Sequence, residues 1–211
     1  NWIIATEFFL KNVENINTAN LGFRNQLQES SFHGEYNVKG VEISGNKKLK
    51  DANLWLSYTY QDNTYTFPEV QPETFRNNLD STHSITLAGS YDYKDFSFSL
   101  GNTFKSGLPY TSPLATNSVS TEAGVSTINF NSPNNETLPS YFRSDFSASY
   151  NVKLDATFSG KINLAVLNIF NRSNSLNRYY ILEDVEGVPS IRRVDEFSLG
   201  LTPNISLQLL F

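Results

Sequence analysis

The segment FSLGLTPNISLQLLF, residues 197–211, decides the fold. Side chains of a β-strand alternate between two faces, and here the odd positions are apolar while the even positions, except Leu210, are small or polar. The alternation outlasts the roughly five or six residues of a typical soluble strand and suits a tilted strand that crosses a bilayer. We therefore predict a membrane-spanning strand whose lipid face carries Phe197, Leu199, Leu201, Pro203, Ile205, Leu207, Leu209 and Phe211.

Seven segments upstream carry related patterns, which gives eight predicted strands. Alternation is clear in four of them and weaker in two, and one segment is apolar on both faces, which leaves its register open. Trp55 interrupts an otherwise polar face in the first clear segment. The clear segments are 54–60, 85–93, 96–104 and 142–152, the weaker ones are 2–10 and 41–44, and the doubly apolar one is 162–170.

The predicted connections alternate between short and long. Short polar links occur at 50–51, at 94–95 and around 154–155, whereas the long links are rich in Asn, Ser, Thr, Pro and Gly. Short turns on one side and long loops on the other are typical of bacterial outer-membrane barrels, whose long loops lie outside the cell. An even strand count places both chain ends on the periplasmic side. The long links are 13–37, 67–82, 107–141 and 173–192.

Composition agrees with antiparallel transmembrane β-strands. Aromatic residues make up 14% of the 211 residues, charged residues only 18%, and no run of 18 apolar residues predicts a membrane helix. The mean hydropathy of -0.36 is near neutral, as expected when lipid-facing and lumen-facing residues alternate. Aromatic residues near strand ends suit interfacial girdles. They are Trp2, Tyr60, Tyr91, Tyr93, Phe96, Phe104, Phe142, Tyr150 and Phe211.

Several classes of protein are disfavoured. A net charge of -5 without a basic cluster argues against nucleic-acid binding, and the lack of cysteine excludes disulfide frameworks and thiolate sites. His33 and His83 are distant, so we expect no metal site, and nothing suggests a cofactor or a nucleophile–base pair. The chain is therefore not expected to be an enzyme. A soluble β-sandwich also alternates, but the strand lengths and one-sided loops weigh against it.

Six local motifs, in order, resemble the carboxyl-terminal part of the β-barrel domain of TonB-dependent outer-membrane receptors. The resemblance covers nearly the whole chain and ends on the terminal Phe211. The motifs are GVEI at 40–43 (the family's "GxE" strand), STHSITL at 81–87, SGLPYT at 106–111, LPSYFRSD at 138–145 ("LPxYxRxD"), NIFN at 168–171 and LGLTP at 199–203.

The resemblance implies an architecture and a job. Receptors of this family have a plug domain and a TonB-box peptide before a barrel of 22 strands. Residues 1–211 are then expected to form the carboxyl-terminal third of that barrel, with plug and TonB box outside this chain, and the missing methionine suits either a mature protein or a piece of a longer one. The implied function is import of a scarce nutrient across the outer membrane of a Gram-negative bacterium, with siderophore-bound iron or a similar chelate expected first and a glycan or peptide second.

The resemblance also implies partners and residue roles. The partners are outer-membrane lipid, the barrel-assembly machinery, the remaining barrel strands and plug, TonB through the amino-terminal part, and a surface lipoprotein. The assembly signal falls on Phe211, Leu209, Leu207 and Ile205. From the residues themselves, the outer-loop tyrosines Tyr110, Tyr141, Tyr179 and Tyr180 are candidate ligand contacts, because tyrosine combines rigid area with a polar tip.

The alternative is a complete, small eight-stranded barrel with a structural or adhesin role. Eight strands can close around an interior filled by side chains. Such an interior needs bulky groups and complementary charges, whereas the predicted inward faces are mostly Ser, Thr, Asn and Gly, which suits the wall of a wide lumen. An intact gene product of the chain's own mass, 23.8 kDa, would contradict the receptor hypothesis.

Overall fold

Period-two alternation along the chain produces one large antiparallel sheet. A computed structural model describes residues 1–19, 31–153 and 159–210, and these contain fifteen strands and no helix. The strands are β1 (Trp2–Ala19), β2 (Ser31–Lys48), β3 (Ala52–Thr66), β4 (Phe75–Arg76), β5 (His83–Tyr93), β6 (Phe96–Lys105), β7 (Pro109–Tyr110), β8 (Val119–Glu122), β9 (Val125–Ile128), β10 (Glu136–Thr137), β11 (Tyr141–Lys153), β12 (Ser159–Leu167), β13 (Ser175–Val185), β14 (Val188–Phe197) and β15 (Thr202–Leu210).

The main sheet runs in the order β1-β2-β3-β5-β6-β11-β12-β15, with the short β4 paired to β3. These eight long strands correspond to the eight predicted ones, so the all-β antiparallel prediction is confirmed. Within the described residues, β1 pairs only with β2 and β15 only with β12, which leaves the sheet open at both edges. No helix in the described ranges has the length and apolarity needed to cross a membrane.

The strands differ in extent from the sequence-based prediction at both ends of the sheet. The β1–β2 ladder continues from Val13–Tyr36 to Ala19–Ser31, past a register shift at Asn15, so the predicted link 13–37 was too long. The polar residues that suggested a loop belong to this ladder, which extends beyond the apolar band of the sheet. Outside that band the strands still pair through their main chains, but their side chains need not be apolar. The predicted turn near 154–155 and Phe211 lie outside the described residues.

The predicted last strand was wrong at its beginning. Phe197 ends β14, where it pairs with Ser175, and β15 begins only at Thr202. The intervening residues turn, and the Leu201 amide donates to Asn171 Oδ1 at 2.9 Å. Apolar residues stay at odd positions through this turn, so the alternation in the sequence does not reveal the break between the strands. The doubly apolar segment also ends earlier than predicted, at Leu167.

Register places apolar side chains on one common face of the sheet. Leu56 lies opposite Leu87, Leu100 opposite Phe146, and Leu164 opposite Ile205. These side chains have large exposed fractions, up to 72% for Ile205. Transfer of exposed apolar surface from water into hydrocarbon is favourable by roughly 25 cal/mol per Å², so this face is stable in contact with lipid chains. We call this the lipid face. The opposite face is the lumen face, and one of its cross-strand rows reads Ser57, Thr86, Thr103, Arg143.

Aromatic residues mark the lipid-face boundary at the end with short turns. The Phe96 and Tyr150 rings lie 4.6 Å apart, and the Lys47 ammonium lies 4.7 Å from the Trp2 ring. A cation over an indole near the headgroups gives the strand ends an interfacial anchor. Trp2, Phe96 and Tyr150, three of the predicted girdle residues, therefore cluster at this end of the sheet, and their place at the headgroups stays a prediction.

Within the described residues, the most buried apolar side chains lie in the long connections and not in the eight long strands of the sheet. We call residues 67–82, 106–140 and 168–201 the outer layer. It contains Phe67, which has no exposed area, and Leu138, which is 4% exposed. The β13–β14 hairpin contacts β7, β8 and β9, so the second and third long connections pack on each other. A single sheet with lipid on one face and a lumen on the other has no interior of its own, and the outer layer supplies the local core that positions the loops.

Candidate ligand-binding site

A recess of about 760 Å³ lies where the lumen face meets the outer layer. Its volume is in the range of small-molecule sites. The floor comes from β3, β5, β6 and β11, and the roof comes from the outer layer. Floor residues are Thr59, Gln61, Ser84, Thr103, Lys105, Tyr141, Arg143 and Asp145; roof residues are Leu79, Ser81, Ser106, Gly107, Leu108, Pro139, Ser175 and Leu176.

The floor follows directly from strand register. Thr59 pairs with Ser84, Ser84 with Lys105, and Lys105 with Tyr141, so four adjacent strands each contribute one residue to a straight row. Neighbouring strands lie about 4.8 Å apart, so the row spans roughly 14 Å. We call these four residues the donor row, because each side chain carries an O–H or N–H group. On the other side of Thr59 the row continues to Glu42 and Glu7.

Arg143 and Asp145 form an ion pair within β11. Two residues apart in a strand, they share the lumen face. Arg143 Nε donates to Asp145 Oδ1 at 2.7 Å and Arg143 Nη2 lies 2.7 Å from Oδ2, while the Asn168 amide donates to Oδ1 at 2.8 Å. Among the described residues that line the recess, Asp145 is the only carboxylate, and its partners link the end of β12 to β11.

The NIFN segment fastens the outer layer to the sheet. Asn168 is buried, has a φ of 53°, and donates from Nδ2 to the carbonyls of Arg172 and Leu199 at 2.9 and 3.1 Å. Asn174, also buried, exchanges two hydrogen bonds of 2.9 Å with the main chain of Phe142. Asparagine tolerates positive φ and bonds the local backbone, which explains the residue type. This cluster sets the height of the roof.

Serine hydroxyls and a glycine close the roof over β5 and β6. Ser81 Oγ donates to the Ser106 carbonyl at 3.1 Å, and the His83 amide donates to Ser106 Oγ at 2.9 Å. A Cβ on Gly107 would collide with the Leu138 carbonyl, so only glycine permits this approach of two loop segments. The SGLPYT motif is therefore a packing element beside the recess.

The four predicted ligand tyrosines do not lie together. Tyr141 lines the recess, whereas Tyr110 is 9% exposed and receives a hydrogen bond of 3.0 Å from Arg178 Nη1. Tyr180 lies nearby on β13, with its ring 6.4 Å from Phe130, and Tyr179 is half-buried opposite Val194. The role of all four in ligand contact stays a prediction, and the recess brings in only Tyr141.

Electrostatics hold the hairpin in its place above the recess. Burial disfavours the Arg178 cation, but hydrogen bonds with Asp195 and Tyr110 outweigh it, so the pKa of Arg178 is raised. Burial raises the pKa of the Tyr180 phenol, and the nearby Tyr110 adds to that increase. Arg193 also pairs with Asp195 at 3.0 Å.

The acidic segment 183–186 is part of a hairpin and its turn. Glu183 pairs with Arg192 across the hairpin, and Asp184 accepts the Gly187 amide at 2.7 Å. Within the described ranges no three His, Cys, Asp or Glu side chains converge as metal ligands. His83 instead bonds the Tyr58 hydroxyl at 3.0 Å on the lipid face.

Sequence reasoning missed the residues that make the recess. Lys105, Gln61 and Thr59 line it, and none of them belongs to a motif that indicates binding. The sequence signal that could find them is position. They are lumen-facing residues at the strand ends that adjoin the long loops. The assembly-signal residues Ile205, Leu207 and Leu209 lie on the lipid face of β15, and their role in assembly stays a prediction.

Comparison with known families supports the architecture. A family model described as TonB dependent receptor-like, beta-barrel matches residues 6–171. That range includes most of β1 and all of β2 to β12, and so most of the sheet and the floor of the recess. A search against curated proteins found no significant match. The sheet topology, the one-sided outer layer and the family match agree, and the chain belongs to the TonB-dependent receptor-like β-barrel family.

Proposed function

We propose that this chain forms part of a receptor wall that captures a scarce nutrient at the cell surface and lets it pass inward. Members of the family are outer-membrane transporters of Gram-negative bacteria that act with TonB. The observation that carries the proposal is the recess of about 760 Å³, which lies on the lumen face directly under the outer layer. A ligand bound there is at the outside end of a transport path.

The two open sheet edges support a barrel larger than eight strands. A closed eight-stranded barrel needs the first and last strands to pair, and in the described residues β1 and β15 each have one partner strand. We infer that further strands of the same receptor continue both edges, as in a barrel of 22 strands with this chain as its carboxyl-terminal third. The complete small barrel with an adhesin role lacks such support.

The proposed division of labour follows from what the described residues can do. The lipid face holds the wall in the membrane, the outer layer and the recess bind cargo, and the polar lumen face borders the plug. Energy from TonB is proposed to enter through the plug and its TonB box.

We also propose two chemical classes for the cargo. A siderophore-bound iron or similar chelate is one candidate and a glycan or peptide is the other. Both are rich in oxygen acceptors, which suit the hydroxyl, amide and ammonium donors of the floor. A surface lipoprotein that covers the outer layer is a further proposed partner.

Uptake by cells tests the proposed function. The full-length receptor is expressed in a strain without other receptors for the cargo, and accumulation of labelled ferric siderophores, oligosaccharides and peptides is measured with and without the TonB box. We expect at least one cargo to accumulate only when the TonB box is present. Accumulation that is unchanged by its deletion for every cargo would contradict energised import.

A further inference from the structure

We infer that Lys105 is a specificity-determining residue that binds a carboxylate of the cargo, with Ser84 and Thr59 taking neighbouring oxygens. The inference rests on the proposed import function and deepens it. It names a ligand chemistry, a carboxylate flanked by hydroxyl or carbonyl oxygens, and a position for it in the recess.

Charge in the recess is unbalanced. Among the described residues that line it, those charged at neutral pH are Lys105, Arg143 and Asp145, two cations and one anion, whereas the chain as a whole has a net charge of -5. Arg143 and Asp145 neutralise each other at 2.7 Å. Lys105 has no carboxylate within salt-bridge distance in the part of the chain that the structure describes. The recess therefore presents one uncompensated positive charge.

Hydrogen-bond donors on the floor of the recess are also available to a ligand. By contrast, the roof hydroxyls of Ser81 and Ser106 already bond the main chain, and Tyr141 of the floor interacts with Arg143. Thr59, Ser84 and Lys105 make no side-chain hydrogen bond within the described ranges, although all three line the recess. Thr59 and Ser84 are half-buried and Lys105 is exposed at the edge of the recess. Donors without protein partners favour ligand acceptors, because each is otherwise satisfied only by water.

Register gives these donors an order. Lys105 lies between Ser84 and Tyr141, and Thr59 lies one strand beyond Ser84. At about 4.8 Å per strand, the donors match an extended ligand whose oxygens repeat at similar spacing. Glu42 continues the row three strands from Lys105, roughly 14 Å away. Its negative charge disfavours an anion at that end, so the carboxylate is oriented toward Lys105.

Two sources share this ligand chemistry: an acidic saccharide and a carboxylate-type iron chelate. The probes are the trisaccharide of galacturonic acid, the neutral trisaccharide of galactose, and ferric citrate. Affinities are measured by calorimetry on the full-length receptor with its plug, for wild type, Lys105→Gln, Lys105→Arg and Lys94→Gln. Lys94 is the matched control because it lies in the short turn between β5 and β6, at the other end of the sheet.

We expect an acidic probe to bind about tenfold more weakly to Lys105→Gln, as loss of one charge-assisted bond predicts, and to regain affinity in Lys105→Arg. Lys94→Gln and neutral-probe binding stay unchanged. A Lys105-dependent loss with galacturonate identifies a saccharide source, and one with ferric citrate identifies a chelate. Acidic-probe affinities that ignore Lys105, or no binding of either acidic probe, overturn the inference.

Uptake separates this failure from failure of the proposed function. If cargo accumulates only with the TonB box while Lys105→Gln changes no acidic-probe affinity, the carboxylate site is wrong and import stands. If accumulation is independent of the TonB box, the import function itself is contradicted. The amounts of receptor in the outer membrane are compared for all variants, so that a folding defect is recognised.

Discussion

Arg178 donates a hydrogen bond from Nη1 to the Tyr110 hydroxyl at 3.0 Å, and its guanidinium lies 5.0 Å from the centre of the same ring. Its Nε contacts Asp195 at 2.5 Å, with both side chains less than one-fifth exposed. This one arginine joins β13, β14 and the connection that contains β7. A second contact, from Arg76 Nη1 to Thr137 Oγ1 at 2.9 Å, links the first and second long connections. The outer layer is therefore a single packed roof.

Replacement of Arg178 is expected to loosen the roof without affecting the wall. Arg178→Met removes the charged bond to Asp195 and leaves Tyr110 without its donor, which costs local stability of about 2 kcal/mol. Hydrogen exchange of the β13 amides should accelerate by at least tenfold, while the amides of β6 keep their protection. Arg192→Met is the control, because its pair with Glu183 is exposed and such pairs contribute little. Equal exchange in the two variants would contradict the role given to Arg178.

Glycine at 107 is expected to be required where glycine at 101 is not. In Gly107→Ala the new Cβ meets the Leu138 carbonyl, and one loop segment must move, at a cost of about 1–3 kcal/mol. A Cβ at Gly101 meets nothing within 4 Å, so Gly101→Ala serves as the matched control. Limited proteolysis of residues 106–140 measures the effect. Faster cleavage in both variants, or in neither, would show that the close approach is not what holds the loop.

The assignment of faces predicts opposite effects at adjacent positions of β6. Leu100→Lys places a charge on the lipid face near the middle of the strand, where the cost is about 2–4 kcal/mol. Ser99→Lys places the same charge on the lumen face and is expected to be nearly neutral. Denaturant unfolding of the full-length receptor in vesicles measures the difference. If Ser99→Lys is the more destabilising change, the faces are inverted.

Alkaline pH is expected to weaken the outer layer through Tyr180. Burial raises its pKa above the ordinary value near 10, so the phenol stays protonated in the folded layer after the unfolded chain has ionised. Its contribution to stability is complete below pH 10 and is lost as pH rises through the folded pKa. The absorbance of tyrosinate is measured against pH for wild type and for Tyr180→Phe. The difference between the two curves reports Tyr180 and should have a midpoint above pH 10. A midpoint at the ordinary value would contradict the burial of this side chain.

The sequence by itself determined the sheet. Each strand has lipid on one side and water on the other, so apolar and polar residues alternate along it. This alternation can be read within a single strand, as in 54–60, 85–93, 96–104 and 142–152, without knowing which strands pair. The eight strands, the short turns at 50–51 and 94–95 and the lipid face could therefore be predicted. The break between Phe197 and Thr202 could not, because the turn keeps parity and leaves the apolar pattern uninterrupted.

Only the tertiary structure decided the site. The donor row unites Thr59, Ser84, Lys105 and Tyr141, which are up to 82 positions apart in the chain, through three separate strand pairings. Periodicity tells which face a residue occupies but not which residues of other strands lie beside it, since that depends on register. The buried Tyr110 illustrates the same limit: a tyrosine expected at the surface became the hydrogen-bond acceptor of Arg178, because packing between two distant loops sets its exposure.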